Sequence, residues 1–211
     1  MGGNFNKLGF WDWKNPDKNN RDKIYHLSDN SSQAVVGKES YITSLAIADK
    51  KNILFTADNK CLIKWWDLNK IRNCISNPEN QEESGKKSRI INLVNCTDGN
   101  IIYNNKEEDF PSIRSIAITK NENENYLVSV GDDKYIRVWT IDSNDSNNKF
   151  SCIYNQKKDA RFNTVDIKLE RTDIKDEQKE LLIATGDDKY RVMLYRISNV
   201  NKLTGKEKCQ L

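Results

Sequence analysis

A short pattern that recurs along the chain constrains its fold more than any other feature. The segments Leu127 to Ile141 and Leu182 to Ile197 both read as an apolar strand, a Gly-Asp-Asp-Lys-Tyr turn and a second strand ending on an aromatic residue, Trp139 or Tyr195. The two align through the turn without a gap, and the later copy carries one extra residue in its second strand. A third copy runs from Leu54 to Leu68 and ends in Trp66-Asp67, and Phe10-Trp11-Asp12-Trp13 is the remnant of a fourth. Trp11 to Trp66 spans 55 positions, Asp133 to Asp188 spans 55 and Trp66 to Trp139 spans 73, so the middle interval holds an insertion, expected at 77–88 or as a hairpin around 95–105. Self-similarity at such periods marks stacked units, none of which buries its apolar face alone.

The segments between loops are short, β-branched and aromatic, and alternate with period two, as half-buried strands do. Ile42 to Ala48, Ile113 to Thr119, Tyr126 to Val130, Thr164 to Leu169 and Arg191 to Ile197 are examples. Between them lie Asn-, Lys-, Asp- and Ser-rich stretches that read as solvated loops. With no convincing long helix, the chain reads as all-β. Lys168 to Ala184 could form a polar helix, but Asp173, Asp176 and the repeat favour strand, charged loop, strand.

In each unit Gly131 or Gly186 gives the backbone freedom a tight turn needs, and the aspartates hydrogen-bond the turn amides. Turn chemistry therefore explains the paired aspartates better than a metal or phosphate site does.

Charge and chemistry exclude several functions. The 211 residues carry 34 Lys+Arg against 31 Asp+Glu, a net charge of +3, which does not by itself indicate a phosphate-backbone binder. No run approaches the ~20 apolar residues of a membrane span, so no membrane insertion is expected. Residues 1–10 lack the pattern of a secretory signal, and a cytoplasmic protein is expected. Five scattered cysteines without Cys-x-x-Cys argue against a disulfide framework or a zinc site. His26 is the single histidine, and no Gly-x-Ser-x-Gly or Gly-x-x-x-x-Gly-Lys motif is present, so catalytic, cofactor and metal residues are all expected to be none. Trp65, Trp66, Trp139, Tyr135, Tyr190 and Tyr195 near Lys64, Arg137 and Arg191 could stack bases, but core aromatics alternating with outward cations explain them better, and nucleic acid is not the expected partner.

At Trp11-Asp12, Trp66-Asp67, Trp139-Thr140 and the Gly-Asp-Asp turns, the sequence resembles the WD-repeat β-propeller family, in its bacterial form, from about Phe10 to Ile197. The resemblance implies blades of four antiparallel strands ringed around a channel. It implies a partial β-propeller of about three to four blades in one domain: a remnant over 8–36, a second blade with its insertion over 37–106, a third over 107–155 and an incomplete fourth over 156–211. It also implies a polar network in each blade: Ser129, Asp133 and Trp139 in one, Thr185, Asp188 and Tyr195 in the next, Thr56 and Trp66 in the earlier copy. Lys60 stands there in place of the acid, and Gly37-Lys38 in place of the family's Gly-His. The incomplete ring is read as part of a longer frame in preference to two copies closing a ring, with self-association through unpaired blade edges as a consequence of the open ends.

The function the resemblance implies is a non-catalytic scaffold or docking module for other proteins, within a larger multidomain or signalling protein. A propeller-fold hydrolase or lyase and a single-stranded nucleic-acid binder are the rival readings. The loops leading into each first strand are the expected contacts: Lys38, Tyr41, Phe110, Pro111, Arg114, Arg161 and Phe162.

Overall fold

The computed structural model describes residues 7–11, 24–28, 41–77, 79, 81–83, 90–93, 100–104, 111–120, 126–142, 149–171 and 179–200. They divide between two compact units, one containing 1–41 and 66–100, the other 42–65 and 101–211.

In the first unit β1 (Lys7–Trp11) pairs antiparallel with β2 (Ile24–Ser28). His26 lies on β2, opposite Gly9. The unit also holds a helix that the sequence pattern did not announce, α1 (Leu68–Ser76). Asp67, the acid of a Trp-Asp pair, caps it by accepting from the Asn69 and Lys70 amides, which satisfies two of the orphan donors of the first turn. Ile71 and Cys74, three apart, form its buried face.

In the second unit β3 (Ile42–Ala48), β4 (Ile53–Asp58), β5 (Leu62–Asp67) and a later strand make one sheet. Between β5 and that last strand the chain inserts α1, β6 (Gln81–Glu83) and β7 (Ile90–Leu93). Both strands belong to the sheet of β1 and β2, in the order β1-β2-β7-β6. There β7 runs parallel to β2, so the sheet is not an all-antiparallel blade; the long stretch of chain between them supplies the crossover a parallel pair requires. The strand that closes the β3-β4-β5 sheet is β8 (Asn100–Asn104).

The next sheet is a four-stranded meander, β9 (Ile113–Ile118), β10 (Tyr126–Gly131), β11 (Tyr135–Asp142) and β12 (Lys149–Lys157). The last has three strands among the described residues, β13 (Phe162–Arg171), β14 (Lys179–Asp187) and β15 (Val192–Ile197). Of the segment from Lys168 to Ala184, the described residues 168–171 and 179–184 are strand, and 172–178 lie outside the described residues. Most described residues lie in strands, and these successive antiparallel sheets form a partial β-propeller.

Two apolar layers join the three sheets. Phe55, Ala57 and Ile63 of the first pack with Ile116, Ile118 and Trp139 of the second. Val128, Val130 and Val138 of the second pack with Val165, Ile167 and Ile183 of the third. Each fully buried aliphatic or aromatic side chain contributes about 1.5–3 kcal/mol.

The backbone gives the repeat its true register. Cys61, Lys134 and Tyr190 adopt left-handed φ values of 59°, 69° and 61° at the corner of each hairpin. Five residues before them stand Thr56, Ser129 and Thr185; five residues after stand Trp66, Trp139 and Tyr195. In this register Asp188 corresponds to Asp132, not to Asp133. The alignment on Gly-Asp-Asp-Lys is therefore one residue out of phase, and in this register the last copy carries no extra residue between its hydroxyl and its aromatic side chain. Neither Gly131 nor Gly186 has a positive φ. Gly131 is needed for space: a Cβ there would sit 2.1 Å from the Ser112 carbonyl oxygen.

A second device repeats between sheets. Ser44 Oγ accepts from the Ile116 amide at 3.0 Å, and Ser115 Oγ accepts from the Val165 amide at 3.2 Å. Leu45, Ile116 and Val165 are equivalent, because they lie opposite Thr56, Ser129 and Thr185. One hydroxyl per first strand thus fixes the register of the next sheet.

Candidate protein-docking face

Each first strand of the second unit carries a bulge near its start, at Thr43, Arg114 and Asn163. Bulges re-aim side chains and increase twist. At this end the lead-in segments meet the hairpin corners. The Asp132 amide donates to the Ser112 carbonyl at 2.9 Å, and the Asp188 amide donates to the Arg161 carbonyl at 3.0 Å. These equivalent bonds tie loop to corner in two successive sheets. The Lys158 amide, donating to the Lys134 carbonyl at 2.9 Å, joins the β12–β13 connection to the corner of the earlier sheet. The result is one continuous surface built from rigid backbone.

Of the expected contact residues, Lys38 and Phe110 lie outside the described residues. Tyr41 is half exposed, Pro111 is partly buried, and Arg161 is exposed with its amide donating to Asp188 Oδ1 at 3.2 Å. Arg114, at its bulge, pairs with Asp132 at 2.9 Å. Phe162 differs: it is buried in the layer between the second and third sheets and cannot meet a partner. Alternation explains this, since Phe162 shares its facing with the core, whereas Arg161 precedes the strand.

Below this surface lie the polar residues expected in each blade. Trp139 Nε1 donates to Ser129 Oγ at 3.1 Å in a buried setting. Thr56 and Trp66 are both buried at the equivalent places. Thr185 is buried too, and burial pushes the Tyr195 phenol above its usual pKa. Asp133 pairs with the Arg137 guanidinium, with both side chains under a tenth exposed, and accepts from the Tyr135 amide. In the third sheet the buried acid is Asp187 rather than Asp188, which is exposed. In the register of the corners Asp188 matches Asp132, and Asp187 stands three residues before its corner, as Asp58 does. Asp187 Oδ1 accepts from the Lys189 and Arg191 amides, as Asp58 Oδ1 accepts from Lys60 and Leu62, and its second oxygen holds Arg191.

Arg191 reaches on to Asp159 at 2.9 Å, and Lys189 joins the same carboxylate at 3.0 Å. The hydrogen bonds from Arg191 and then Lys189 hold Asp159 well below the usual carboxylate range. For Asp187, burial alone would raise the pKa; the backbone and side-chain hydrogen bonds of Arg191 and the amide of Lys189 outweigh it and lower it. The Arg191 guanidinium is held correspondingly more basic, first by Asp159 and then by Asp187. The sequence reading does not contain this network, and Tyr190 beside it, expected among the core aromatics, is fully exposed because it forms the corner of its hairpin. The spacing Asp187 to Arg191, the same as Asp133 to Arg137, was the available signal.

This surface can bind through charge, hydrogen bonds and one aromatic tip. Among the described residues no group of three or more His, Cys, Asp or Glu is placed to hold a metal ion, and no helix is long and apolar enough to cross a membrane. Contrary to the cysteine spacing, Cys74 and Cys152 each take part in a disulfide, while Cys61 is a buried free thiol. Residues 106–140, which hold the second sheet through the Trp139 position, match the family described as WD domain, G-beta repeat. No curated protein matches the chain.

Proposed function

We propose that this WD-repeat chain is a non-catalytic scaffold that docks other proteins at the hairpin-corner end of its successive sheets, as part of a larger multidomain or signalling assembly. WD repeats are in general protein-interaction modules without catalytic activity. The observation that carries the reading is the repeated backbone tie, Asp132 to Ser112 and Asp188 to Arg161, which holds lead-in loops and corners as one preformed surface. A preformed surface binds without the cost of ordering loops.

The test is an alanine scan of Lys38, Tyr41, Phe110, Pro111, Arg114 and Arg161 against a partner captured by proximity labelling. Weakening at two or more positions supports the face, and uniform indifference rejects it.

Self-association is the second reading, favoured by exposure. Leu45 and Ile47 are 54% and 57% exposed, whereas Ile116, Ile118, Val165 and Ile167 at the equivalent positions are buried. Val192 and Leu194 are also exposed on β15, which among the described residues pairs only with β14. Such faces and edges invite pairing with a second chain. A monomer by sedimentation at all concentrations rejects this reading. A cytoplasmic location is proposed on the sequence grounds given above; the disulfide-bonded Cys74 and Cys152 oppose it, since disulfides persist in oxidising compartments. Titration of free thiols in freshly extracted protein decides between the two.

A further inference from the structure

We infer that the docking face takes an acidic segment of a partner protein, gripped by Lys134, Lys157, Lys158 and Arg161 around the Tyr190 ring. The inference rests on the docking reading and specifies the chemistry of its ligand.

The argument starts from which charges are already satisfied. The aspartates of this face are all engaged: Asp132 with Arg114, Asp133 with Arg137, Asp159 with Lys189 and Arg191, Asp187 with Arg191, and Asp188 with the Arg161 amide. Four cations on the same segments have no carboxylate partner among the described residues. Lys157 lies over the Tyr135 ring at 5.6 Å and Lys158 over the Tyr195 ring at 4.7 Å. Lys134 and Arg161 take part in no ion pair among the described residues.

These four are held close by backbone. The Lys158 amide donates to the Lys134 carbonyl, and Arg161 exchanges hydrogen bonds with Asp188 through its amide and carbonyl. These backbone bonds join the β12–β13 connection to two successive hairpin corners, and the four cations stand on these segments. Residual positive charge on a preformed surface favours an anionic ligand and speeds its association.

Tyr190 supplies the other half. It is fully exposed, in a left-handed conformation that is unfavourable for a non-glycine residue. At the equivalent corner of the first sheet, Cys61 is buried. An exposed tyrosine on a strained corner, backed by the Asp187–Arg191–Asp159 network, has the properties of an interface anchor. The ligand this suits is a peptide with several Asp or Glu residues flanking an apolar or aromatic one. The same cations attract phosphates, so a nucleic-acid strand is the competing outcome that the experiment separates.

The experiment uses the full chain and three fluorescent twelve-residue peptides: one of Glu around a central Leu-Phe pair, its Gln analogue and its Lys analogue, with an oligothymidine of matched length as competitor. The expected result is binding of the Glu peptide only, weakened by salt. Lys134→Glu together with Arg161→Glu should lower its affinity at least tenfold, Tyr190→Ala should lower it with an unchanged salt slope, and Lys120→Glu at the far end of β9 should leave it unchanged. Circular dichroism of each variant verifies the fold. No binding of the Glu peptide, equal binding of the Gln analogue, binding that the charge reversals do not weaken, or tighter binding of the oligothymidine each overturns the inference. Should the alanine scan still map a captured partner to this face in those cases, the docking reading stands and the acidic ligand alone falls.

Discussion

Replacing Ser129 by Ala tests the polar lock inside the second sheet with the smallest perturbation available. Trp139 is 3% exposed, and its indole N–H donates to Ser129 Oγ at 3.1 Å. Removing that oxygen takes this acceptor from a buried donor, at a cost of about 1–3 kcal/mol. Trp139→Ala should cost more, about 3–5 kcal/mol, because it also empties the volume packed against Phe55 and Ile116. The separation between the two is the informative part. If the hydrogen bond accounts for the Ser129 effect, Ser129→Ala made in a Trp139→Phe background should cost about 1 kcal/mol less than in the wild type. For a chain of this size each kcal/mol moves Tm by ~2–4 °C. Because the chain divides into two units, a global melt alone is ambiguous, and amide exchange at Val128 and Val138, between which the lock lies, localises the loss. A Ser129→Ala cost under ~0.5 kcal/mol, or no difference between the two backgrounds, refutes the lock.

Asp133→Ala should cost about 3–5 kcal/mol in urea denaturation by stranding the buried Arg137, and Arg137→Met in the same chain should restore much of it; equal loss in both assigns the effect to the turn alone. Gly131→Ala should destabilise strongly and raise amide exchange at Asp132, because the added Cβ meets the Ser112 carbonyl oxygen at 2.1 Å. Acid should loosen the third sheet. Asp159 and Asp187 have folded pKa values below their unfolded value of about 3.9, so the stability they confer is complete above that pH and is lost as pH falls below it toward the folded values. An Asp159→Asn, Asp187→Asn variant should therefore be less stable at pH 6 and approach the wild type near pH 2; a constant difference across that range contradicts the assignment.

Much of the fold was legible because strand alternation and the hydroxyl-to-aromatic spacing survive in each copy. Ser129 and Trp139 are ten residues apart, as are Thr56 and Trp66, and Thr185 and Tyr195. Phase was not legible at the turns. Gly-Asp-Asp-Lys-Tyr occurs in both later copies but occupies positions one residue apart around the corner, and identical letters conceal a slip that only the positive φ of Lys134 and Tyr190 reveals. Asp188 thus matches Asp132, and the buried acid Asp187 matches Asp58 of the first copy, where the second has Gly131. The helix α1 was hidden by its brevity; its signal was Asp67 as a cap followed by Ile71 and Cys74 at helical spacing. The parallel pairing of β2 with β7 leaves no trace in alternation, because a strand's pattern records which face is buried and not which strand lies beside it. The position of Phe162 follows from a boundary shift of one residue, enough to convert a loop contact into a core side chain.

Amide exchange at Ile116 and Val165 tests most directly whether consecutive sheets are joined by one repeated contact. With Ser44 and Ser115 accepting from these two amides, both should be protected in the wild type, Ser44→Ala should release Ile116 alone, and Ser115→Ala should release Val165 alone. Unprotected amides in the wild type, or variants that leave both protections untouched, would contradict the stacking of equivalent sheets on which the docking face depends.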